Sequence, residues 1–142
     1  MVKYMNKYYL FIIDNKLVKS YKNKSYVLYK LLETLYKSES YDFCYGIKIY
    51  WQICNNFSVK LLQNYINTRI KCFKKGKVIR IADEKTYIQL MYPCIIISTN
   101  NKKTNIFKIF NIYNRCIFVC DFKNYNYFWL NDYLKMRKYN FK

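Results

Sequence analysis

The sequence predicts an α+β fold: a mostly antiparallel sheet packed by two or three helices. Three observations carry that reading. Runs rich in β-branched and aromatic residues recur along the chain, other segments place apolar residues at three- and four-residue steps, and the two kinds follow one another without regular β-α-β alternation. A length of 142 residues fits a single domain, 1–142, and 53% apolar residues supply its core.

The first segment, Lys7 to Asp14 (KYYLFIID), is aromatic and β-branched and reads as a strand. NKLVKSYKNKS, Asn15 to Ser25, reads as a polar connection holding Leu17 and Tyr21. Lys24 to Lys37 follows as a helix, with Val27, Leu28, Leu31, Leu32 and Leu35 on one stripe and Asn23 or Ser25 placed to cap its start. The middle third is less legible. YGIKIYWQIC fits either a strand or the start of a helix, whereas Val59, Leu62, Tyr65 and Ile66 have helical spacing.

GKVIRIAD reads as a short strand after Gly76, and TYIQLMY alternates and pairs with CIIIS (Cys94 to Ser98) across Pro93. A second clear helix lies in TNIFKIFNIYN, with Ile106, Phe110 and Tyr113 on one face and Thr104 near its start. CIFVC, Cys116 to Cys120, lacks polar alternation, which marks a strand covered on both faces. In the turn DFKNYN, Asn124 and Asn126 tolerate left-handed backbone, and YFWL returns as the partner strand.

Charge is the most lopsided property. There are 26 Lys and Arg against 8 acidic residues, a formal +18. Lys, Asn, Ile, Tyr and Phe abound while Ala82 is the lone alanine, and the abundant types share AT-rich codons. Codon bias with solvated lysines is therefore the leading reading of the charge. A nucleic-acid surface comes second, and steering toward an acidic protein partner third. The densest clusters are KCFKKGK, Lys71 to Lys77, and the tail KMRKYNFK, Lys135 to Lys142; neither is a long basic arm.

Catalysis needs a group that titrates near neutrality, an activated nucleophile or a metal. The chain has no histidine, and Gly46 and Gly76 are its only glycines, which removes Ser-His and Cys-His pairs and Gly-rich phosphate loops. The eight carboxylates are Asp14, Glu33, Glu39, Asp42, Asp83, Glu84, Asp121 and Asp132, and only Asp83 and Glu84 adjoin. Of the 6 cysteines, none forms Cys-x-x-Cys, and Cys116 and Cys120 on one strand face are too far apart for one zinc. Cys72, flanked by Lys71, Lys74 and Lys75, is the best-placed nucleophile, but an incidental thiol is the stronger reading. A non-enzyme without metal or cofactor is expected. Neither a signal peptide nor a membrane-length apolar run is visible, so a reduced, cytoplasmic protein with no membrane association is expected as well.

The segment CIFVCDFKNYNYFWLND resembles the C-terminal signature of the SirA family, sporulation inhibitors of DNA replication. The shared features are an apolar strand ending in Asp (Phe118 to Asp121), a turn with Asn124, and Tyr127 with Trp129, Leu130 and Asn131. YYLFII followed by Leu17, Tyr21 and a Leu-rich helix is similar to that family's opening, and the likeness runs over most of the chain outside Phe43 to Tyr92.

The resemblance implies an α/β-type domain that binds the N-terminal domain of the replication initiator DnaA and blocks initiation during sporulation; a monomer is expected. It places the partner-binding residues at Leu17, Tyr21, Gln52 and Asp132. Leu17 stands where the family has an aromatic residue, and Asp132 stands where it has a proline. The alternative expectation, resting on charge and aromatic content, is a basic domain that contacts DNA or RNA directly.

Overall fold

A computed structural model describes residues 5–37, 43–101 and 104–140, with the backbone alone described at 43–47 and 137–140. Strand β1 (Asn6–Ile12) leads into α1 (Asn15–Lys22), α2 (Ser25–Tyr36), α3 (Phe43–Ile53) and α4 (Val59–Arg69). A four-strand meander follows: β2 (Cys72–Lys75), β3 (Val78–Ile81), β4 (Thr86–Met91) and β5 (Cys94–Thr99). The chain ends with α5 (Ile106–Tyr113), β6 (Ile117–Asp121), β7 (Asn126–Trp129) and α6 (Leu130–Asn140).

The strands form one antiparallel sheet in the order β2-β3-β4-β5-β1-β6-β7. The α+β class matches the sequence reading, but six helices pack it among the described residues, where periodicity predicts two or three.

Strand β1 lies between β5 and β6, and its apolar run serves two cores because successive side chains point to opposite faces. Leu10 and Ile12 join Ile95, Ile97, Ile117 and Val119 under α4, α5 and the start of α6. Tyr9, Phe11 and Ile13 join Phe118, Cys120 and Trp129 under α2, the end of α3 and half-buried residues of α1. The five residues of β6 are all buried, as expected of a strand covered on both faces.

Several local expectations change. The polar connection at Asn15 to Ser25 is mostly helix α1, because the Asp14 carboxylate caps it, accepting from the Lys16 N–H at 3.0 Å. Neither Asn23 nor Ser25 caps α2; Lys24 holds that position without a side-chain bond. The buried stripe of α2 is Leu28, Tyr29, Leu32 and Leu35, rotated so that Val27 is exposed. YGIKIYWQIC resolves as helix.

Lys71 to Lys77 contributes an unexpected strand, β2, joined to β3 through Gly76, whose φ of 62° suits the first position of a two-residue hairpin loop. Between β6 and β7 the left-handed residue is Tyr125 (φ 54°), not an asparagine. Asp121 fixes that loop by accepting from the Asn124 side-chain amide at 2.8 Å and its N–H at 3.3 Å, and Asn126 already pairs with Asp121 as the first residue of β7. Leu130 begins α6 rather than ending the strand. Cys116 precedes β6, so it shares no strand face with Cys120. Glu39, Asp42 and the last two residues of the basic tail lie outside the described residues.

Phe118 is fully buried, its ring centroid 4.9 Å from Trp129 and 5.9 Å from Tyr127. Phe118→Ala is expected to lower unfolding free energy by ~3–5 kcal/mol. Urea denaturation should show the midpoint falling with an unchanged slope.

Candidate functional site

Helix α1 is held at both ends and open along its length. At its start, the Asp14 N–H donates to the Ile53 carbonyl at 2.8 Å, the Asn55 N–H donates to the Ile12 carbonyl at 2.8 Å, and Ile13 bridges Cys54. The C-terminal end of α3 is thus fastened to the β1–α1 junction. At the far end, the Lys24 N–H donates to the Tyr21 carbonyl at 2.9 Å. The Ser25 hydroxyl faces the Lys22 carbonyl at 3.2 Å and accepts from the Trp129 indole N–H at 3.0 Å. Lys22 also pairs with Asp132 at 3.5 Å, so the C-terminal segment clasps the α1–α2 elbow.

Between these anchors no residue of α1 is fully buried. Leu17, Val18 and Tyr21 lie half-buried against the core beneath α2 and α3, while Lys16, Lys19, Ser20 and Lys22 are exposed. The geometry ties three of the four sequence-derived site residues to α1 and leaves Gln52 on α3. Leu17 and Tyr21 sit on α1, Gln52 is exposed next to the residue bonded to the start of α1, and Asp132 is ion-paired to its last residue. That ion pair is surface-exposed and contributes only ~0–1 kcal/mol, so Asp132 acts more as a tether than as an anchor.

Two groups escaped the sequence reading. Trp51, beside Gln52, is 65% exposed, because Ile49, Tyr50 and Ile53 take the inward side of α3. Tyr26 and Val27 are exposed at the start of α2. A helix reading of IYWQI carried the signal for Trp51, since residues 49, 50 and 53 claim one face and leave 51 and 52 outward.

The titratable groups serve the core. Burial opposes ionisation of Glu33, but Lys30, the Tyr29 hydroxyl and Lys37 outweigh it and hold the carboxyl below its ordinary value. Burial pushes the Cys54 thiol up to about 12, with Cys94 beside it adding to the shift, and burial also pushes Cys94 up to about 12. Cys72 is shifted upward by burial as well and donates to Asn67 at 3.0 Å, the opposite of nucleophile activation. Among the described residues no three Cys, Asp or Glu side chains gather as a metal would require, and no helix is long and apolar enough to cross a membrane.

Compared with protein-family models the chain matches none, and no curated protein matches it in sequence. The site is therefore argued from its geometry.

Two outcomes are expected. An unfolded thiol loses its proton near 9, whereas folded Cys54 and Cys94 keep theirs to about 12. Above pH 9 the native state binds more protons than the unfolded state, so stability falls as pH rises, by on the order of 1 kcal/mol per unit per thiol. Chemical denaturation should show no thiol contribution below pH 8 and a decline between 9 and 12. Separately, Ser25→Ala strands the buried Trp129 indole N–H and should cost ~1–3 kcal/mol, measured by the same melts.

Proposed function

We propose that this protein is an inhibitor of chromosome replication initiation during sporulation, acting as a cytoplasmic monomer on the N-terminal domain of DnaA. The reading rests on the SirA-like motifs at both ends of the chain. One observation supports it most: α1 is pinned at both ends while Leu17, Val18 and Tyr21 remain half-covered, and Trp51 is exposed on α3, two residues before the Ile53 that bonds the start of α1. A rigid element with unfinished apolar burial is what a protein interface completes, and half-exposed aromatics become anchors once a partner excludes water.

The lysines around these rings form a basic rim. They would speed encounter with an acidic partner without carrying most of the affinity. On this reading the protein is not an enzyme and needs no cofactor. Its action is occupation of a surface on the initiator.

Titration calorimetry of the full chain against the DnaA N-terminal domain tests the reading. Binding at micromolar concentration or tighter is expected, with Tyr21→Ala and Trp51→Ala each weakening it by more than ~1 kcal/mol while circular dichroism is unchanged. No detectable heat or mobility shift at tens of micromolar, about −6 kcal/mol, rejects it.

A further inference from the structure

The basic cluster Lys71 to Lys77 plays no part in the α1 surface, and the sheet gives it a different setting. Hydrogen-bonded register places Phe73, Arg80, Tyr87, Ser98 and Lys7 in one row across β2, β3, β4, β5 and β1. A second row on the same face runs Lys75, Val78, Gln89, Ile96, Tyr9. Inner members such as Tyr9 and Ile96 pack into the core beneath α2 and α3. The outer members are open. Phe73 is 57% exposed, Lys75, Arg80 and Lys7 are exposed, and Val78, Tyr87 and Gln89 are half-buried.

We propose that this outer half of the sheet, where Arg80 stands in register between Phe73 and Tyr87 on a face that also carries Lys75 and Lys7, binds single-stranded nucleic acid. Paired residues on neighbouring strands have Cα atoms ~4.5–5.5 Å apart, which sets the backbones of Phe73 and Tyr87 about 10 Å apart with Arg80 in register between them. Rings on an open sheet stack unpaired bases, and cations beside them neutralise phosphates. Gln89, half-buried in the second row, adds a hydrogen-bonding group, whereas Ser98 is buried.

Charge complementarity favours this occupant. This face carries the exposed cations Lys7, Lys75 and Arg80, whereas Lys74, paired with Ile79, lies on the opposite face; the acidic residues of the meander, Asp83 and Glu84, are both in the β3–β4 turn. Glu84 is already engaged by the Thr104 hydroxyl and the Asn101 amide. A duplex keeps its bases stacked inside and offers the rings nothing. A second copy is disfavoured because the β2 edge carries Lys74 and Lys75, and like charges oppose edge-to-edge pairing. The inference does not rest on the DnaA reading.

Fluorescence anisotropy of the full chain with labelled oligo-dT and oligo-U, beside a duplex of equal length, is the test. Single strands should bind at ~50 mM salt and weaken toward ~200 mM, with a log–log slope of about −2 for the three cations Lys7, Lys75 and Arg80. Phe73→Ala, at an exposed site where the fold is untouched, should weaken binding ~10-fold or more. Arg80→Gln should weaken it and flatten the slope, and Tyr21→Ala should leave it unchanged. The proposal is overturned by absent binding at the lowest salt, by duplex binding as tight as single-strand binding, or by Phe73→Ala binding like the wild type. It is equally overturned if sedimentation shows that Phe73→Ala abolishes only self-association.

Discussion

Burial of β1 and β6 on both faces is the constraint from which the rest of the architecture follows. A strand with Tyr9 to Ile13 all buried has no solvent to satisfy its backbone, so β5 and β6 must flank it on both edges. Its two faces then each demand a helical layer, and the chain supplies α1 to α3 for one and α4 to α6 for the other. The layers are centred on β1 and β6. Toward β2 on the side of α1 to α3, cover thins and Phe73 and Arg80 emerge. The open platform is thus a by-product of where the core had to be closed.

Trp129 shows how a buried side chain positions a surface helix. Its ring packs on Phe118, so its N–H is carried into the core and needs an acceptor. Ser25 provides one, and the same hydroxyl contacts the Lys22 carbonyl at the end of α1. Every member of the Asp-turn-aromatic-Trp-Leu-Asn signature has comparable structural work. Asp121 fixes the hairpin loop, Tyr127 stacks on Tyr29 at 4.9 Å, Leu130 is fully buried, and Asn131 accepts from Asn111 and Arg115 at 3.1 Å each. Trp129 ties the motif to the end of α1 through Ser25, and its other members hold the hairpin and the start of α6 in place. The motif's residues therefore serve the scaffold, and the surface features that the proposed function draws on are those of α1.

Legibility in the sequence followed the strength of the burial signal. β1 and β6 were readable as unbroken apolar runs rich in β-branched and aromatic residues, and α2, α4 and α5 because their apolar residues recur at helical spacing. α1 was not, since Leu17, Val18 and Tyr21 are too few among lysines to outweigh the polar residues around them, and its decisive feature is the Asp14 cap. β2 was hidden for a related reason: an edge strand buries little, so its lysine-rich composition resembles a loop. α3 mixes aromatic, β-branched and glycine residues that suit a strand as well as a helix. At the site, Leu17, Tyr21, Gln52 and Asp132 came from family likeness and not from any pattern in the residues. The exposed Trp51 followed only from the phase of a helix the sequence left undecided.

Codon bias offers a bland account of the lysines, and it extends to phenylalanine, so the exposure of Phe73 alone proves little. What bias does not arrange is register: a ring, a guanidinium and a second ring on three adjacent strands facing one way is a property of pairing, not of composition. Tryptophan stands apart from the AT-rich residue types altogether. The chain has 2, and one of them, Trp129, is 6% exposed with its N–H bonded. The other, Trp51, leaves most of its ring in water on α3, where a smaller polar residue would avoid exposing that apolar area. Compositional drift does not favour that choice and the fold does not require it, so Trp51 is the exposed ring that the proposed partner surface explains best.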